Sequence, residues 1–180
     1  MDKELEVKVL NIDKDKIQKK LLEIGAKLLR REHQRNYLID SEDRNIEKNN
    51  NSYLRIRESL DLDTEKTSFT LTLKQNIFNE HMRENVEVNT KIEDKEALLY
   101  ILDVLGYGLV KEGFKERISY QYESIRFDID TWDESTYPYT YMEIEVNKEE
   151  DLEKAINLLN IDKKNISTKS IVELREDLGK

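Results

Sequence analysis

The chain lacks cysteine altogether and has only two histidines and one proline among its 180 residues. Without thiols it can form neither a disulfide nor a thiolate metal site, and His33 and His81, which we predict to be surface residues, are too few for a histidine-based zinc centre. No apolar run approaches the length of a membrane span, and the charged N-terminus lacks the apolar core of a signal peptide. We therefore expect a cytoplasmic protein that does not enter a membrane.

Positive charge is also in short supply. The chain has 30 lysines and arginines against 39 aspartates and glutamates, which gives a formal net charge of −9. This balance argues against nucleic acid as the primary ligand. It also makes any cluster of arginines more informative, because the cluster runs against the overall charge.

The most informative pattern in the chain is an alternation of charged and apolar residues at its start. In residues 4–8 an extended strand would place Glu4, Glu6 and Lys8 on one face and Leu5 and Val7 on the other. Two carboxylates and an ammonium on one face could hold a hard cation beside a phosphate. Taken alone, the pattern favours a half-buried strand with a solvated polar face, but the pattern recurs.

The alternation returns in residues 53–57, 69–74, 83–88, 114–118, 126–130 and 142–146. The polar positions of these segments carry arginines and paired carboxylates, whereas a sheet facing water would accept Thr, Ser or Gln equally well. Arginine is suited to bidentate recognition of phosphate. Polar faces turned towards one another would make a barrel with a charged interior, which a polyphosphate with metal ions would stabilise.

An internal repeat suggests how such a barrel is built. Residues 4–25 align without a gap on residues 85–106, and each copy reads as a strand, a helix that starts after an Asp and a helix end at Gly. A long strand follows each copy, at 27–40 and 107–122. We predict an α+β fold in which two βαβββ halves close one eight-stranded antiparallel barrel with helices outside. The alternative explanation is that the matches arise by chance, or because any strand followed by a capped helix has a similar residue pattern.

The pattern predicts the remaining elements along one domain that spans residues 1–180. Strands are expected at 3–10, 27–40, 52–58, 67–75, 82–90, 107–122, 125–131 and 140–147, and helices at 14–24, 94–105, 149–159 and 171–178. The polar segments Asp40–Asn51 and 59–66 are predicted to be mobile loops. Residues 1–147 would hold the barrel and its helices, and residues 148–180 the C-terminal helices. The sequence leaves open whether the last helix closes a mouth of the barrel.

The motif Glu4-x-Glu6-x-Lys8 resembles the ExExK signature of the CYTH family, the triphosphate tunnel metalloenzymes. This family includes class IV adenylyl cyclases, thiamine triphosphatases and inorganic tripolyphosphatases. The resemblance continues in order over roughly residues 2–147. Its further motifs are Arg55-x-Arg57, Lys74, Arg83 with Glu87, Lys115-x-Arg117, Asp130 and Glu143-x-Glu145.

The resemblance implies a metal-dependent enzyme that holds a triphosphate inside the barrel. The triphosphate-binding residues it implies are Arg55, Arg57, Lys74, Arg83, Lys115 and Arg117. The metal ligands it implies are Glu4, Glu6, Glu87, Asp130, Glu143 and Glu145. Oxygen ligands without His or Cys indicate Mg²⁺ or Mn²⁺. Lys8 is the candidate catalytic residue, either as a base that takes a proton from the attacking water or as a charged contact to a phosphate.

The chain departs from the family pattern in two places. Asn85 stands where the family usually has a carboxylate, and the turn 133–141 lacks the Gly-Leu-Gly run associated with class IV cyclases. By contrast, Gln34-x-Asn36-Tyr37 loosely resembles a segment of the cyclase-like branch.

Three hypotheses for the function follow. The first is a triphosphatase that hydrolyses inorganic tripolyphosphate or a nucleoside or thiamine triphosphate. The second is an adenylate cyclase that converts ATP to cyclic AMP and pyrophosphate. The third is a non-catalytic polyphosphate-binding module, which the loss of charge at Asn85 suggests. The oligomeric state, with a homodimer as one option, stays open.

Overall fold

The computed structural model describes the backbone of residues 2–77 and 83–179 and the side chains of residues 5–77 and 84–179. His81 therefore lies outside the described residues, as do the side chains of Glu4 and Arg83. His33 is at the surface, as predicted.

Eight antiparallel strands close a barrel. They are β1 (Asp2–Val9), β2 (Lys27–Asp40), β3 (Ser52–Asp61), β4 (Thr67–Ile77), β5 (Arg83–Ile92), β6 (Gly108–Tyr122), β7 (Ile125–Trp132) and β8 (Tyr141–Val146). The order around the barrel is β1, β5, β4, β3, β2, β6, β7, β8, and the barrel closes because β1 pairs with both β5 and β8. The predicted eight-stranded antiparallel barrel is confirmed.

Within residues 2–77 and 83–179, five α-helices and one short 3₁₀ helix (Lys163–Asn165) accompany the strands. The α-helices are α1 (Lys14–Glu23), α2 (Asn45–Asn50), α3 (Lys95–Val104), α4 (Glu149–Leu159) and α5 (Ile171–Asp177). Among the described residues, none of these helices has the length and apolar character needed to cross a bilayer.

The two predicted βαβββ halves are confirmed by the order of the strands. If β1 to β4 are exchanged with β5 to β8, the same order around the barrel results, read in the opposite direction. This is the order expected of two halves related by a pseudo-twofold axis. The equivalent helices α1 and α3 begin after Asp13 and Asp94, whose side chains accept hydrogen bonds from the first turn. Two residues after each helix comes a glycine, Gly25 or Gly106, where φ is +84° or +88°. Glycine adopts this backbone conformation without steric cost, and it terminates the helix.

The apolar core lies outside the barrel wall, between the strands and the helices. Val7, Phe127 and Ile144 point outwards into the largest cluster, which includes residues of α1 and α4. A smaller cluster around Ile56, which is fully buried, packs against residues of α3. Because successive side chains of a strand point to opposite faces, burying the apolar face under helices leaves the polar face inside the barrel.

The predicted mobile loop at Asp40–Asn51 is wrong in part, because it contains α2. Asp40 is buried and accepts hydrogen bonds from the backbone N–H groups of Ile46 at 2.9 Å and Glu47 at 3.1 Å. Burial alone would raise the pKa of Asp40, but these N–H groups lower it. The second predicted loop is also shorter than expected, since β3 continues to Asp61.

The C-terminal residues return to one mouth of the barrel. After α4, a short strand β9 (Ile166–Ser167) pairs with β1, and α5 begins with a capping box between Ser170 and Glu173. Leu174 of α5 is buried in a cluster with Tyr137 and Tyr141. The side chains of α5 consequently line the cavity at this mouth, which we call the α5 mouth.

Candidate active site

The barrel encloses a cavity of about 1560 Å³ lined by the inward-facing positions of its strands. Predicted site residues that line it are Glu6, Lys8, Arg55, Arg57, Lys74, Glu87, Lys115, Arg117, Glu143 and Glu145. The fold therefore brings together residues that are up to 139 positions apart in the chain, which is the arrangement expected of a closed barrel with a polar interior.

Of the other three predicted residues, two have side chains that the structure does not describe and one lies outside the cavity lining. Glu4 and Arg83 belong to β1 and β5, where the backbone register pairs Glu4 with Asn85, but their side chains lie outside the described residues. Asp130 is completely buried and contributes no surface to the cavity.

Arg117 is the centre of the ion-pair network. Its guanidinium contacts Asp130 at 2.6 and 2.7 Å, Asp128 at 2.7 Å and Glu143 at 2.7 Å. Burial alone would lower the pKa of Arg117, but these three carboxylates raise it well above its usual value. Arg117 is thus a fixed cation whose orientation is set from three sides.

Asp130 fixes Arg117 and Lys115 from the side that faces away from the cavity. It accepts hydrogen bonds from the ammonium of Lys115 at 2.7 Å and the hydroxyl of Tyr141 at 3.1 Å, in addition to those from Arg117. Burial alone would raise the pKa of Asp130, but Arg117 and Lys115 lower it. Both oxygens of an ionised Asp130 are therefore engaged by neighbouring side chains.

The cations of the cavity repel one another, and this repulsion helps to lower the pKa of two of them. Burial and the charge of Arg117 lower the pKa of Lys115 to about 7. Burial, together with the charges of Arg55 and Arg117, lowers the pKa of Arg57 to about 9. A bound anion would relieve this repulsion, because an opposite charge favours the protonated form.

Arg55 and Arg57 are the least neutralised of these cations. Among the described side chains, no carboxylate lies within ion-pair distance of either guanidinium. Arg57 donates from Nε to Oδ1 of Asn36 at 3.0 Å, and Nε of Arg55 is buried without a hydrogen-bond partner. Both guanidinium groups are partly buried, and a cation that is partly removed from water without a carboxylate partner is costly unless a ligand neutralises it.

The acidic wall, which we define as Glu6, Glu143 and Glu145, lies on β1 and β8. The register pairs Glu6 with Glu145 and Lys8 with Glu143. The ammonium of Lys8 lies 3.4 Å from Glu143 and 3.7 Å from Glu6. Burial alone would raise the pKa of Glu143, but Lys8 and Arg117 hold it well below its usual range. Lys8 thus sits between two of the predicted metal ligands.

The neighbouring strands β4 and β5 extend this arrangement. Lys74 lies 3.0 Å from Glu87 and 3.6 Å from Glu6. Burial alone would raise the pKa of Glu87, but Lys74 and Arg55 lower it. Asn85 is fully buried and donates from Nδ2 to Glu6 at 3.4 Å, so its amide stands beside a predicted ligand, where the family usually has a carboxylate.

The acidic wall suits a hard divalent cation. Its donors are carboxylate oxygens, which Mg²⁺ and Mn²⁺ prefer. Within the described side chains, no three acidic groups converge as a metal centre by themselves. Magnesium in phosphate-binding sites usually takes one or two carboxylates, and waters and substrate phosphates complete its coordination. Glu6 and Glu145, which are opposite each other in the pairing of β1 with β8, could supply these two carboxylates.

Several cavity residues are not assigned to the site by the sequence, although the segment of Gln34 and Asn36 resembles one of the cyclase-like branch. Gln34 and Asn36 lie on the inner face of β2, and Oε1 of Gln34 and Nδ2 of Asn36 are buried without hydrogen-bond partners. The alternation along β2 was a usable signal for both. Lys111 and Arg175 also line the cavity, but no local pattern indicates Arg175, because its position depends on where α5 packs.

Comparisons with known proteins agree with this architecture. The model of the CYTH domain matches residues 2–171. A protein of Methanocaldococcus jannaschii named "Putative adenylate cyclase MJ0240" is 30% identical over 181 residues, which cover 96% of this chain and 98% of that protein.

Two solved structures show the same fold. The PH1819 protein of Pyrococcus horikoshii OT3 has a TM-score of 0.80 at 23% identity, with 97% of this chain and 99% of that one covered. "Putative adenylyl cyclase HpAC1" from Hippeastrum, described as having a dominant triphosphatase activity, has a TM-score of 0.67 at 16% identity, with 94% and 91% covered.

The family match covers nearly the whole chain, and the barrel gathers the residues of the family's motifs around one charged cavity. The chain belongs to the CYTH domain family, whose members are enzymes that act on triphosphates and depend on a divalent metal.

Proposed function

We propose that this protein is a triphosphatase that hydrolyses inorganic tripolyphosphate or a nucleoside or thiamine triphosphate in the presence of Mg²⁺ or Mn²⁺. The observation that carries the proposal is the pair Arg55 and Arg57, two cations inside the cavity with no carboxylate partner among the described side chains. A triphosphate supplies several negative charges at once, and neutralising them is the main requirement for phosphoryl transfer.

The cavity residues divide into two groups in this proposal. Phosphate binding belongs to the cationic wall, which we define as Arg55, Arg57, Lys74, Lys115 and Arg117, with Arg83 added on its sequence motif. Metal binding belongs to the acidic wall and to Glu4, again on its motif. A divalent ion bound there would neutralise charge that develops on the phosphate oxygens.

Glu87 and Asp130 receive a positioning role. Glu87 lies 3.0 Å from Lys74, and Asp130, which has no surface in the cavity, fixes Lys115 and Arg117 from behind. Each oxygen of Asp130 is contacted by a cation at 2.7 Å or less, and the two oxygens of Glu87 are engaged by Lys74 at 3.0 Å and by the amide of Asn89 at 3.1 Å. Both carboxylates therefore orient their neighbours and keep less capacity for a metal ion than Glu6, whose contacts with described side chains are longer, at 3.4–3.7 Å.

A substitution at Lys8 separates its two candidate roles. As a phosphate contact, Lys8 acts through its charge, so we expect Lys8→Arg to keep most of kcat and to change KM, with Lys8→Gln raising KM further. This expectation follows from the contacts of Lys8 with Glu6 and Glu143. Steady-state kinetics from pH 6 to pH 10 would check it. If Lys8→Arg loses kcat about a hundredfold together with the alkaline limb of the profile, Lys8 is the base instead.

A class IV adenylyl cyclase is the second candidate, and one observation favours it. The unpaired acceptor on Gln34 and the unpaired donor on Asn36 are complementary to a ring that carries an amino group beside a ring nitrogen, as adenine does. The Methanocaldococcus jannaschii relative is also named as a cyclase. A cyclase nevertheless requires a defined purine position as well as the triphosphate site, and the Hippeastrum protein of similar name is described as mainly a triphosphatase.

One assay distinguishes the candidates. The protein is incubated with tripolyphosphate or ATP and Mg²⁺ or Mn²⁺, and phosphate, pyrophosphate and cyclic AMP are measured. We expect release of phosphate that a chelator abolishes. Cyclic AMP and pyrophosphate from ATP would establish the cyclase instead, and binding of tripolyphosphate without any product would establish the non-catalytic module. Absence of binding would refute the assignment of the cavity.

A further inference from the structure

Two more cations lie together at the α5 mouth. Lys111 of β6 and Arg175 of α5 both line the cavity there. Nε of Arg175 is buried without a hydrogen-bond partner, and burial and the charge of Arg175 lower the pKa of Lys111. Among the described side chains, no carboxylate lies within ion-pair distance of either cation. Two neighbouring cations without a counter-charge cost free energy, which a bound anion would offset.

Four carboxylates near this mouth have other partners, and Glu176, which also lines the cavity, is not within ion-pair distance of either cation. Asp40 is occupied by the first turn of α2, and Glu112 pairs with Arg35. Asp133 accepts hydrogen bonds from backbone N–H groups of its own turn and of β6, and Glu173 closes the capping box of α5. These carboxylates are therefore engaged by other groups, and burial and Arg175 lower the pKa of Lys111 by more than the charge of Asp133 raises it.

The pair continues the cationic wall towards the outside. The register places Leu38 of β2 opposite Arg55 on one side and opposite Lys111 on the other. Arg55 and Lys111 are thus two strands apart, about 10 Å between their backbones. An anion chain that starts at Arg57 and Arg55 would meet Lys111 and then Arg175 as it leaves the barrel.

The last helix completes this arrangement. Arg175 follows Leu174, whose burial against Tyr137 and Tyr141 fixes α5 over the mouth. The guanidinium is therefore held in place by packing of the adjacent residue, and the site exists only because the C-terminal residues return to the barrel.

We propose that Lys111 and Arg175 form a phosphate-binding subsite at the α5 mouth, outside the central triphosphate site. The subsite deepens the proposed function, on which it rests for the source of its ligand. That ligand is either the distal phosphate of a linear polyphosphate longer than three units or a separate inorganic phosphate.

The test uses Lys111→Gln and Arg175→Gln, which remove charge and keep much of the side-chain length. The matched controls are Lys164→Gln and Arg31→Gln, since both residues form ion pairs at the surface away from the cavity. KM and kcat are measured for tripolyphosphate and for a long linear polyphosphate, and the inhibition of tripolyphosphate hydrolysis by inorganic phosphate is measured in parallel. We expect each variant to leave KM and kcat for tripolyphosphate unchanged. Each should raise about tenfold either KM for the long polyphosphate or the concentration of inorganic phosphate needed for inhibition, as for the loss of a charge-assisted hydrogen bond.

The outcomes identify the source of the phosphate. A raised KM for the long chain supports the distal phosphate, and weaker inhibition by inorganic phosphate supports a separate ion. An equal loss of kcat with both substrates, or no change in either KM or inhibition, would overturn the subsite.

If the unmodified protein hydrolyses neither substrate, the proposed function fails, and calorimetric titration with inorganic phosphate then decides the subsite. Weaker phosphate binding by both variants than by their controls would support it, and identical binding would refute it.

Discussion

Replacing Arg117 with alanine should lower the free energy of unfolding by about 3–5 kcal/mol, as expected when one partner of a buried ion-pair network is removed. The variant leaves Asp128, Asp130 and Glu143 inside the barrel without the cation that contacts all three. Denaturation by urea at neutral pH would measure the change. The control is Arg31→Ala, which removes a half-exposed partner of Asp63 and should cost no more than about 1 kcal/mol.

Lowering the pH should reduce the difference in the free energy of unfolding between the Arg117→Ala variant and the unmodified protein. With Arg117 present, the pKa values of Asp130 and Glu143 are held low, so their contribution to stability is present at neutral pH and is lost as the pH falls through those values. Without Arg117, mainly the lysines, Lys8 at Glu143 and Lys115 at Asp130, oppose the effect of burial, so the pKa of these carboxyls rises and their protonation costs the folded state less free energy. A variant as stable as the unmodified protein at neutral pH would contradict the role of Arg117 in the network.

Replacing Glu145 with glutamine should lower the metal-dependent kcat for a triphosphate at least about a hundredfold. The substitution keeps the size of the side chain and removes an anionic oxygen from the position that faces Glu6 across the β1–β8 pairing. Glu143→Gln should have a similar effect, and it also weakens the contacts to Arg117 and Lys8. Turnover is measured against rising concentrations of Mg²⁺ and Mn²⁺.

Binding without metal separates this explanation from misfolding. Because the cationic wall is retained, calorimetric titration with tripolyphosphate in the presence of a chelator should show partial binding by both variants. Glu153→Gln, at an exposed ion pair with Lys163, is the control for loss of one surface charge. An unchanged metal dependence in both variants would remove β8 from the metal site.

The alternation of residues was sufficient to predict which side chains enter the barrel. Arg55 and Arg57 line the cavity, whereas Ile56 between them is fully buried in the outer core. A shift of one residue in the pairing would exchange these faces, so burial of the apolar face fixes the polar one. The alternation therefore predicts which positions face the cavity, and the resemblance to the family predicts which of them bind the ligand.

The depth of a side chain and the contacts between distant segments are not contained in that alternation. Asp130 faces inwards as predicted, but it is covered by Lys115, Arg117 and Tyr141, which come from two neighbouring strands. Helix α2 depends on its capping by the buried Asp40, and β9 has only two residues. These features depend on tertiary contacts that a local pattern does not encode.

The separation of charge between the inside and the outside of the barrel also governs how an anionic substrate arrives. The protein carries a net charge of −9, while the cations that would bind the phosphates are enclosed in the cavity. Charges separated by more than about 8 Å are largely screened from each other at physiological ionic strength, so we expect an approaching triphosphate to interact with the net negative exterior before it interacts with the enclosed cations. We therefore expect the diffusional encounter to be faster for the magnesium complex, which carries less negative charge, than for the free polyanion. Added salt should speed this encounter, the reverse of the usual steering of a substrate by an oppositely charged surface.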